Sequence, residues 1–286
     1  MKPQTAFIGL GAMGFPMACR LLDAGYPVKT AVHRNLEKAS QLKEKGAVIA
    51  SDFSEAVKGA KLIFSIVPAD EAMKALYLNE QVMAAIDPEA IVIEMTSASM
   101  SAMQEIGQAL QKRNIRVLDS PVSGGISGAR EGTLTFIVGG DAAVLDEVRP
   151  ALECMASRII HVGPLGAGKG MKAANQMLVG IHMAAAAQAL ALAESVGIDP
   201  DTFFQVISTS SGASKVLENK FQLMKNHRFD QGFQLQLLVK DMNIALAQGE
   251  GLDLSMLEQA SALFAQVPAE LAEKDFAVIS ELFRKA

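Results

Sequence analysis

Cysteine is nearly absent from this chain of 286 residues. The two present, Cys19 and Cys154, have neither a pairing pattern nor metal-ligand spacing. A disulfide scaffold is therefore excluded, and a reducing cytoplasm is expected. Histidine is as sparse: four, scattered, none forming a zinc pattern with Cys or Asp, so no metal site is expected. There is no basic run and the net charge is −5, which argues against nucleic acid as a principal partner. No signal peptide is read at the N-terminus, which runs directly into a strand. Charge is also missing from residues 173–193, a stretch without Asp, Glu, Lys or Arg. About 20 apolar residues span a bilayer. Here, however, nine of the 21 are alanine, which contributes little to insertion, and Asn175, Gln176, His182 and Gln188 interrupt them. A buried helix of a soluble protein is the expectation, with no membrane partner.

What the chain does have is ordinary globular composition, 50% apolar and 20% charged, and enough length for two modest domains. Up to about residue 163, short apolar strands alternate with helical stretches. Beyond it every long segment reads as helix. Strands alternating with helices imply a doubly wound, mostly parallel sheet. The expected organisation is therefore an α/β domain over 1–163 and an all-helical domain over 164–286.

The first strand, 5–8, runs into Gly9-Leu10-Gly11-Ala12-Met13-Gly14, and a helix follows to about residue 24. Alone, Gly-x-Gly-x-x-Gly is a weak signal; placed after a strand and opening a helix, it reads as a dinucleotide fingerprint. Gly9 permits the tight turn, Gly11 lets backbone approach a pyrophosphate, and Gly14 lets helix pack on strand. The helix N-terminus attracts the phosphate charge. After the second strand, 27–32, an NAD enzyme usually places an acid for the ribose 2′-hydroxyl. This chain has His33-Arg34-Asn35, and a guanidinium suits a 2′-phosphate, so NADP is favoured with NAD possible. A solvated arginine at a helix start is the alternative. Asn35 also reads as the N-cap of a helix over 36–45.

Strands over 48–50, 62–67 and 90–95 follow, with a helical turn over 54–58. Val67 and Pro68 open a loop at the carboxyl end of the sheet, where cofactors bind. Thr96-Ser97-Ala98-Ser99 precedes a helix to about 113; its hydroxyls serve as caps, and a place facing a nicotinamide is also open to them. A strand over 116–118 breaks into Asp119-Ser120-Pro121-Val122-Ser123-Gly124-Gly125. Such a turn is either structural or a carboxylate cradle, built from one hydroxyl and the exposed amides of the glycines. A strand over 133–138, a helix over 142–155 and a strand over 159–162 complete the first domain.

Four glycines then cluster at 163, 166, 168 and 170, and a long helix is expected from about Lys172 to 196. Lys172 and Asn175, three residues apart, share a helix face and can together form a catalytic site. Helices are expected over 200–209, 216–225, 235–249 and 255–266, with a last one from 275. Lys240-Asp241 interrupts an apolar run on the third of these. Such a pair is as a rule solvated surface, but its position also admits a site role.

The fingerprint with Met13, the Asp119–Gly125 turn, Gly166-x-Gly168-x-x-x-Lys172-x-x-Asn175 and the later Lys240-Asp241 pair occur in one order. In that order the chain resembles the β-hydroxyacid dehydrogenases of the 3-hydroxyisobutyrate dehydrogenase and tartronate semialdehyde reductase type. The resemblance covers essentially the whole chain, through Asp275-Phe276-Ala277-Val278-Ile279. It implies a Rossmann domain and an all-helical domain with the active site between them, and helical domains that associate into dimers or tetramers. It implies Lys172 as catalytic acid/base, and Ser123, Gly124 and Asn175 as substrate contacts. It further implies Lys240 near nicotinamide and substrate, and Thr96 and Pro68 near the cofactor. The chain departs from the family pattern at Arg20, where Asn is frequent, at Glu94, where Asp is usual, and at Met100, where Pro is common. None of these touches the four motifs; the substrate stays open.

In reduction, the alkoxide that develops on the substrate needs a proton, and Lys172 as an ammonium both stabilises the charge and supplies that proton; in oxidation, neutral Lys172 takes the hydroxyl proton. Ser123, the Gly124 and Gly125 amides and Asn175 are expected to hold a substrate carboxylate. An NADP-dependent imine reductase shares the two-domain plan, but such enzymes typically lack a lysine at this position. A non-catalytic dinucleotide-binding protein would be expected to lack Lys172 or the Ser-Gly-Gly turn, and both are present.

Overall fold

A computed structural model of the chain describes residues 1–32, 35–230 and 232–284. It divides into two compact units, Met1–Lys172 and Ala173–Ala286.

The first unit begins β1 (Thr5–Ile8), α1 (Gly14–Asp23), β2 (Val28–Ala31), α2 (Leu36–Glu44), β3 (Val48–Ala50), α3 (Phe53–Val57) and β4 (Leu62–Ser65). It continues α4 (Asp70–Tyr77), α5 (Glu80–Ala85), β5 (Ile91–Glu94), α6 (Met100–Gln111), β6 (Arg116–Asp119), β7 (Val122–Ser123) and α7 (Gly125–Glu131). β8 (Leu134–Gly139), α8 (Ala142–Leu152) and β9 (Ala156–Gly163) close the sheet. Its order is β3-β2-β1-β4-β5-β6-β8-β7, with β9 also paired to β8. Pairing is parallel from β3 to β6, and antiparallel where β8 meets β6 and β7. The expected doubly wound, mostly parallel sheet is thus present. Strand order reverses between β1 and β4, which opens the crevice at their carboxyl ends.

The central strands are buried along their whole length, as covered parallel strands are. Alternation sends Phe7, Phe64 and Ile93 into one core, with Met17 and Leu21 of α1. Ala6, Ile8, Ile63 and Val92 enter a second core on the other face, with Met73 and Leu76 of α4 and Met103 and Ile106 of α6. The short helices α4, α5 and α7 escaped the sequence reading. α4 and α5 are less than three turns long, and α7 is a seven-residue helix beginning at a glycine of the Ser-Gly-Gly turn.

α9 (Ala167–Ser195) begins in the first unit and continues into the second. It starts five residues earlier than expected, inside the glycine cluster, so Lys172 lies in its second turn. Asp119 is the cause: its carboxylate accepts the backbone N–H of Gly166 and of Lys169, which leaves those amides satisfied at the helix start. α9 is long and apolar enough to cross a membrane by length and composition. Met183, Ala184, Ala187 and Leu190 instead bury one side of it in the core of the second unit.

That unit continues with α10 (Pro200–Ser208), α11 (Lys215–Asn226), α12 (Leu235–Gln248) and α13 (Ser255–Phe264). The last expected helix is a tight 3-10 segment, Phe276–Leu282, capped by Asp275. The Asp275 carboxylate also accepts the Phe233 N–H at 2.9 Å and pairs with Lys220 at 2.5 Å, pinning the C-terminal segment to α11 and to the approach of α12.

Candidate active site

The glycine fingerprint turns as its three roles require. Gly9 has φ +100°, and a Cβ there would fall 2.0 Å from the Ile66 carbonyl oxygen. A Cβ on Gly14 would fall 1.8 Å from the Gly9 carbonyl oxygen, so helix and turn touch through backbone alone. A Cβ on Gly11, by contrast, would meet nothing within 4 Å. The middle glycine is thus not needed for packing, and the bare backbone of Gly11 fits the close approach of a pyrophosphate to the start of α1. Leu10 is buried beneath the turn, and Ala12 and Met13 lead into α1.

His33 and Arg34, expected to read the ribose side of the cofactor, lie outside the described residues. Asn35 caps α2 as expected, its Oδ1 accepting the Lys38 N–H at 3.2 Å. Lys38, which the sequence reading passed over, donates from Nζ to the Gly11 carbonyl at 3.1 Å and stands 5.7 Å from the Phe15 ring centre. An ammonium therefore stands at the glycine loop. The signal was a lysine one turn into the helix that Asn35 opens.

Val67 and Pro68 follow β4, and Thr96 follows β5, on adjacent strands. The Thr96 hydroxyl accepts the Val67 N–H at 3.0 Å and donates to Glu94. It does not cap α6; Ser99 does, accepting the Ala102 N–H at 3.1 Å. Asp70, in the first turn of α4, accepts the Ser99 amide at 2.9 Å and its hydroxyl at 2.5 Å. The loops after β4 and β5 are therefore joined at two points.

Beneath them lies a buried group of charges at the carboxyl ends of β5 and β6. Lys169 and Glu94 are both fully buried and form an ion pair. Glu94 also accepts the Thr96 N–H at 3.1 Å. Asp119 is buried too, with Oδ1 accepting the Gly166 N–H at 2.8 Å and Oδ2 the Lys169 N–H at 2.7 Å. Burial pushes the Asp119 carboxyl above its ordinary value, more strongly than the Lys169 ammonium and the two amides pull it down. A Cβ on Gly168 would fall 2.7 Å from Asp119 Oδ2, so only glycine lets the helix start so close to β6.

Lys172 is one turn beyond Lys169 on the same helix face, and only 8% of it is exposed. Ser123 lies half-buried on β7, and Gly124 and Gly125 follow at φ +131° and +65°. Those left-handed conformations turn the chain sharply out of β7 and into α7, as the glycine pair allows.

In the second unit, Asn175 and Lys240 belong to one chain of polar contacts. Asn175 Nδ2 donates to Gln176 Oε1 at 3.0 Å, and Gln176 Nε2 donates to Asp241 Oδ2 at 2.7 Å. Asp241 Oδ1 lies 3.1 Å from Lys240 Nζ, an ion-pair contact rather than an aligned hydrogen bond. Gln176 and Asp241 are both buried, so they hold the two more exposed side chains, Asn175 and Lys240, from behind. Polar interruptions in two apolar helices were the signal for this pairing.

Comparison with known proteins accounts for nearly the whole chain. Residues 4–163 match the family of the NAD-binding domain of 6-phosphogluconate dehydrogenase. Residues 166–283 match the family described as NAD-binding of NADP-dependent 3-hydroxyisobutyrate dehydrogenase. An NAD-dependent L-serine dehydrogenase of Pseudomonas aeruginosa is 37% identical, over 98% of this chain and 97% of its own. A 3-hydroxyisobutyrate dehydrogenase of the same organism is 36% identical, over 98% of both chains. Among solved structures, the 3-hydroxyisobutyrate dehydrogenase of Mycobacterium tuberculosis with L-serine superposes with a TM-score of 0.92 at 31% identity, covering the whole of both chains.

Proposed function

Because the chain belongs to the β-hydroxyacid dehydrogenase family, as an NAD(P)-dependent hydroxyacid oxidoreductase, we propose that it interconverts a small 3-hydroxy acid and its semialdehyde with Lys172 as general acid and base. The observation that carries the reading is Lys172 itself, a mostly buried lysine on α9, one turn beyond a helix start that Asp119 and Glu94 fix from the carboxyl edge of the sheet.

Gly9, Leu10, Gly11, Ala12, Met13 and Gly14 would hold the pyrophosphate, His33, Arg34 and Asn35 the adenosine ribose, and Val67, Pro68, Thr96 and Lys240 the nicotinamide end. The bound nicotinamide would take a hydride from the alcohol carbon in oxidation and return it in reduction. Neutral Lys172 Nζ takes the hydroxyl proton in oxidation; its ammonium gives that proton back in reduction and steadies the alkoxide before transfer. NADP is the preferred partner in this reading, through Arg34 and with Lys38 adding positive charge beside the glycine loop.

The names of the two relatives point to the substrate class. L-serine and 3-hydroxyisobutyrate share a CH2OH group on a carbon that also bears a carboxylate, and differ only in an ammonium or a methyl group. Ser123, Gly124, Gly125, Asn175 and Lys240 are the residues proposed to hold that carboxylate. Fixing it places the hydroxyl for Lys172, which is how binding at a non-reacting group serves the chemistry.

Three further assignments belong to this reading. Residues 1–163 serve as the dinucleotide domain and 164–286 as the substrate domain, a division close to that of the two family matches. The protein works in the cytoplasm. It is a homodimer or homotetramer, supported by a stripe on α9 in which Met171, Leu178 and Leu192, seven residues apart or twice seven, are each more than half exposed.

The test is nicotinamide absorbance on a panel: tartronate semialdehyde, methylmalonate semialdehyde, succinic semialdehyde and glyoxylate with NADPH and NADH, and 3-hydroxyisobutyrate and L-serine with NADP+ and NAD+. Turnover of a 3-hydroxy acid or its semialdehyde with the phosphorylated cofactor preferred is the expected result. Tight dinucleotide binding with no turnover of any of these would remove the proposed substrate class.

A further inference from the structure

Lys169 lies outside the roles assigned above, yet it is a fully enclosed charge at the edge of the sheet. Its side chain is fully buried, and its three ammonium protons have three acceptors: the Glu94 carboxylate, the Glu94 carbonyl at 3.2 Å and the Thr96 carbonyl at 2.7 Å. Glu94 is equally enclosed. It takes the Thr96 amide and hydroxyl, and the Ser65 hydroxyl reaches it at 3.5 Å, backed by the Tyr77 hydroxyl at 2.7 Å. Thr96 passes the connection on by accepting the Val67 N–H. One ion pair thus ties together the ends of β4 and β5 and, through Asp119 and the Lys169 amide, β6 and the first turn of α9.

Stability alone does not call for such a pair, since well-packed apolar side chains of the same volume serve as well or better. What a satisfied buried network adds is direction: each charge has one orientation and each neighbour one place. The places fixed here are the loop of Val67 and Pro68, Thr96, and the helix turn before Lys172.

We propose that Lys169 and Glu94 are positioning residues for hydride transfer, an internal clasp that holds the start of α9, and so Lys172, in register with the loops after β4 and β5. The inference rests on the acid–base assignment of Lys172. Neither residue touches substrate, and neither exchanges a proton in the reaction.

The decisive variant is the double substitution Lys169→Met with Glu94→Gln. It removes both charges of the pair together and keeps side-chain volume, while Asp119 keeps its two amide partners, so it is expected to fold with a thermal midpoint near that of the parent. Its kcat should fall by about tenfold to a hundredfold, as for misplacement of reacting groups on the order of 1 Å. Dinucleotide Kd should change by less than about threefold, and the primary deuterium effect on kcat should rise as the hydride step becomes limiting. Recovery of kcat to within about threefold of the parent, with the thermal midpoint recovered, would show that the pair is structural only and overturn the proposal.

Should the double variant not fold, Glu94→Asp decides the matter. It keeps both charges but draws the carboxylate back by one methylene from the Lys169 ammonium, and should lower kcat by about tenfold with dinucleotide Kd held within about threefold. A kcat within about threefold of the parent in that variant overturns the clasp. Lys172→Ala is run beside them. Near-normal turnover in that variant removes the acid–base reading and the clasp with it, whereas an inactive Lys172→Ala with a fully active double variant removes the clasp alone.

Discussion

Asp119 Oδ2 accepts the backbone N–H of Lys169 at 2.7 Å, across 50 residues of sequence. With the Gly166 amide on Oδ1 at 2.8 Å, this carboxylate sets where the long helix begins. Asp119→Asn keeps the shape but can accept only through one oxygen and turns an NH2 toward a backbone N–H. A loss of about 1–3 kcal/mol of stability is expected, read by urea unfolding.

The same substitution predicts a pH dependence. The Asp119 carboxyl is raised above its ordinary value by burial, so the folded chain keeps this proton to higher pH than the unfolded chain does. The contribution is therefore most favourable at low pH and is lost as pH rises from the ordinary carboxylate range through the raised folded value. The stability difference between parent and Asp119→Asn should narrow as pH rises from about 4 toward 7. A difference that widens over that range would contradict the assignment of burial as the dominant cause.

The fingerprint glycines separate cleanly. Gly14→Ala puts a Cβ 1.8 Å from the Gly9 carbonyl oxygen, backbone that has nowhere to go, and should cost several kcal/mol of stability or prevent folding. Gly11→Ala meets no protein atom within 4 Å and should fold with stability within about 1 kcal/mol of the parent. Its dinucleotide Kd should nevertheless rise by about tenfold or more, because the methyl group would stand where the pyrophosphate is proposed to approach. Calorimetry and fluorescence titration on the two variants check both halves.

Cofactor choice is tested by Arg34→Ala. NADPH affinity should fall by about tenfold to a hundredfold while NADH affinity changes little, as expected from losing a guanidinium–phosphate pair. Equal losses for the two cofactors would show that Arg34 does not read the 2′-phosphate.

Local signals carried most of the fold. The strand-turn-helix at Gly9–Gly14 and the alternation of short apolar strands with helices depend on neighbours in sequence, and periodicity registers neighbours. The Lys169–Glu94 pair spans 75 residues and the Gln176–Asp241 hydrogen bond 65. Nothing in a local window connects such partners. Glu94 stood out only as a departure from a family pattern, and Lys169 as one residue in a glycine cluster. The start of α9 was misplaced for a related reason: a glycine-rich turn reads as a breaker, and the carboxylate that makes it a helix start lies on β6. Thr96 shows the same limit within a loop, since its hydroxyl bridges Val67 and Glu94 while Ser99 provides the cap.

If Lys172 moves the proton, the turnover of Lys172→Ala shows it most directly, with dinucleotide affinity determined on the same preparation. Its kcat should be lower by about 10²–10⁴-fold, in the range of a lost general acid–base group, with cofactor Kd unchanged within about threefold. Turnover within about tenfold of the parent would contradict it, and the proton would have to be assigned to another residue.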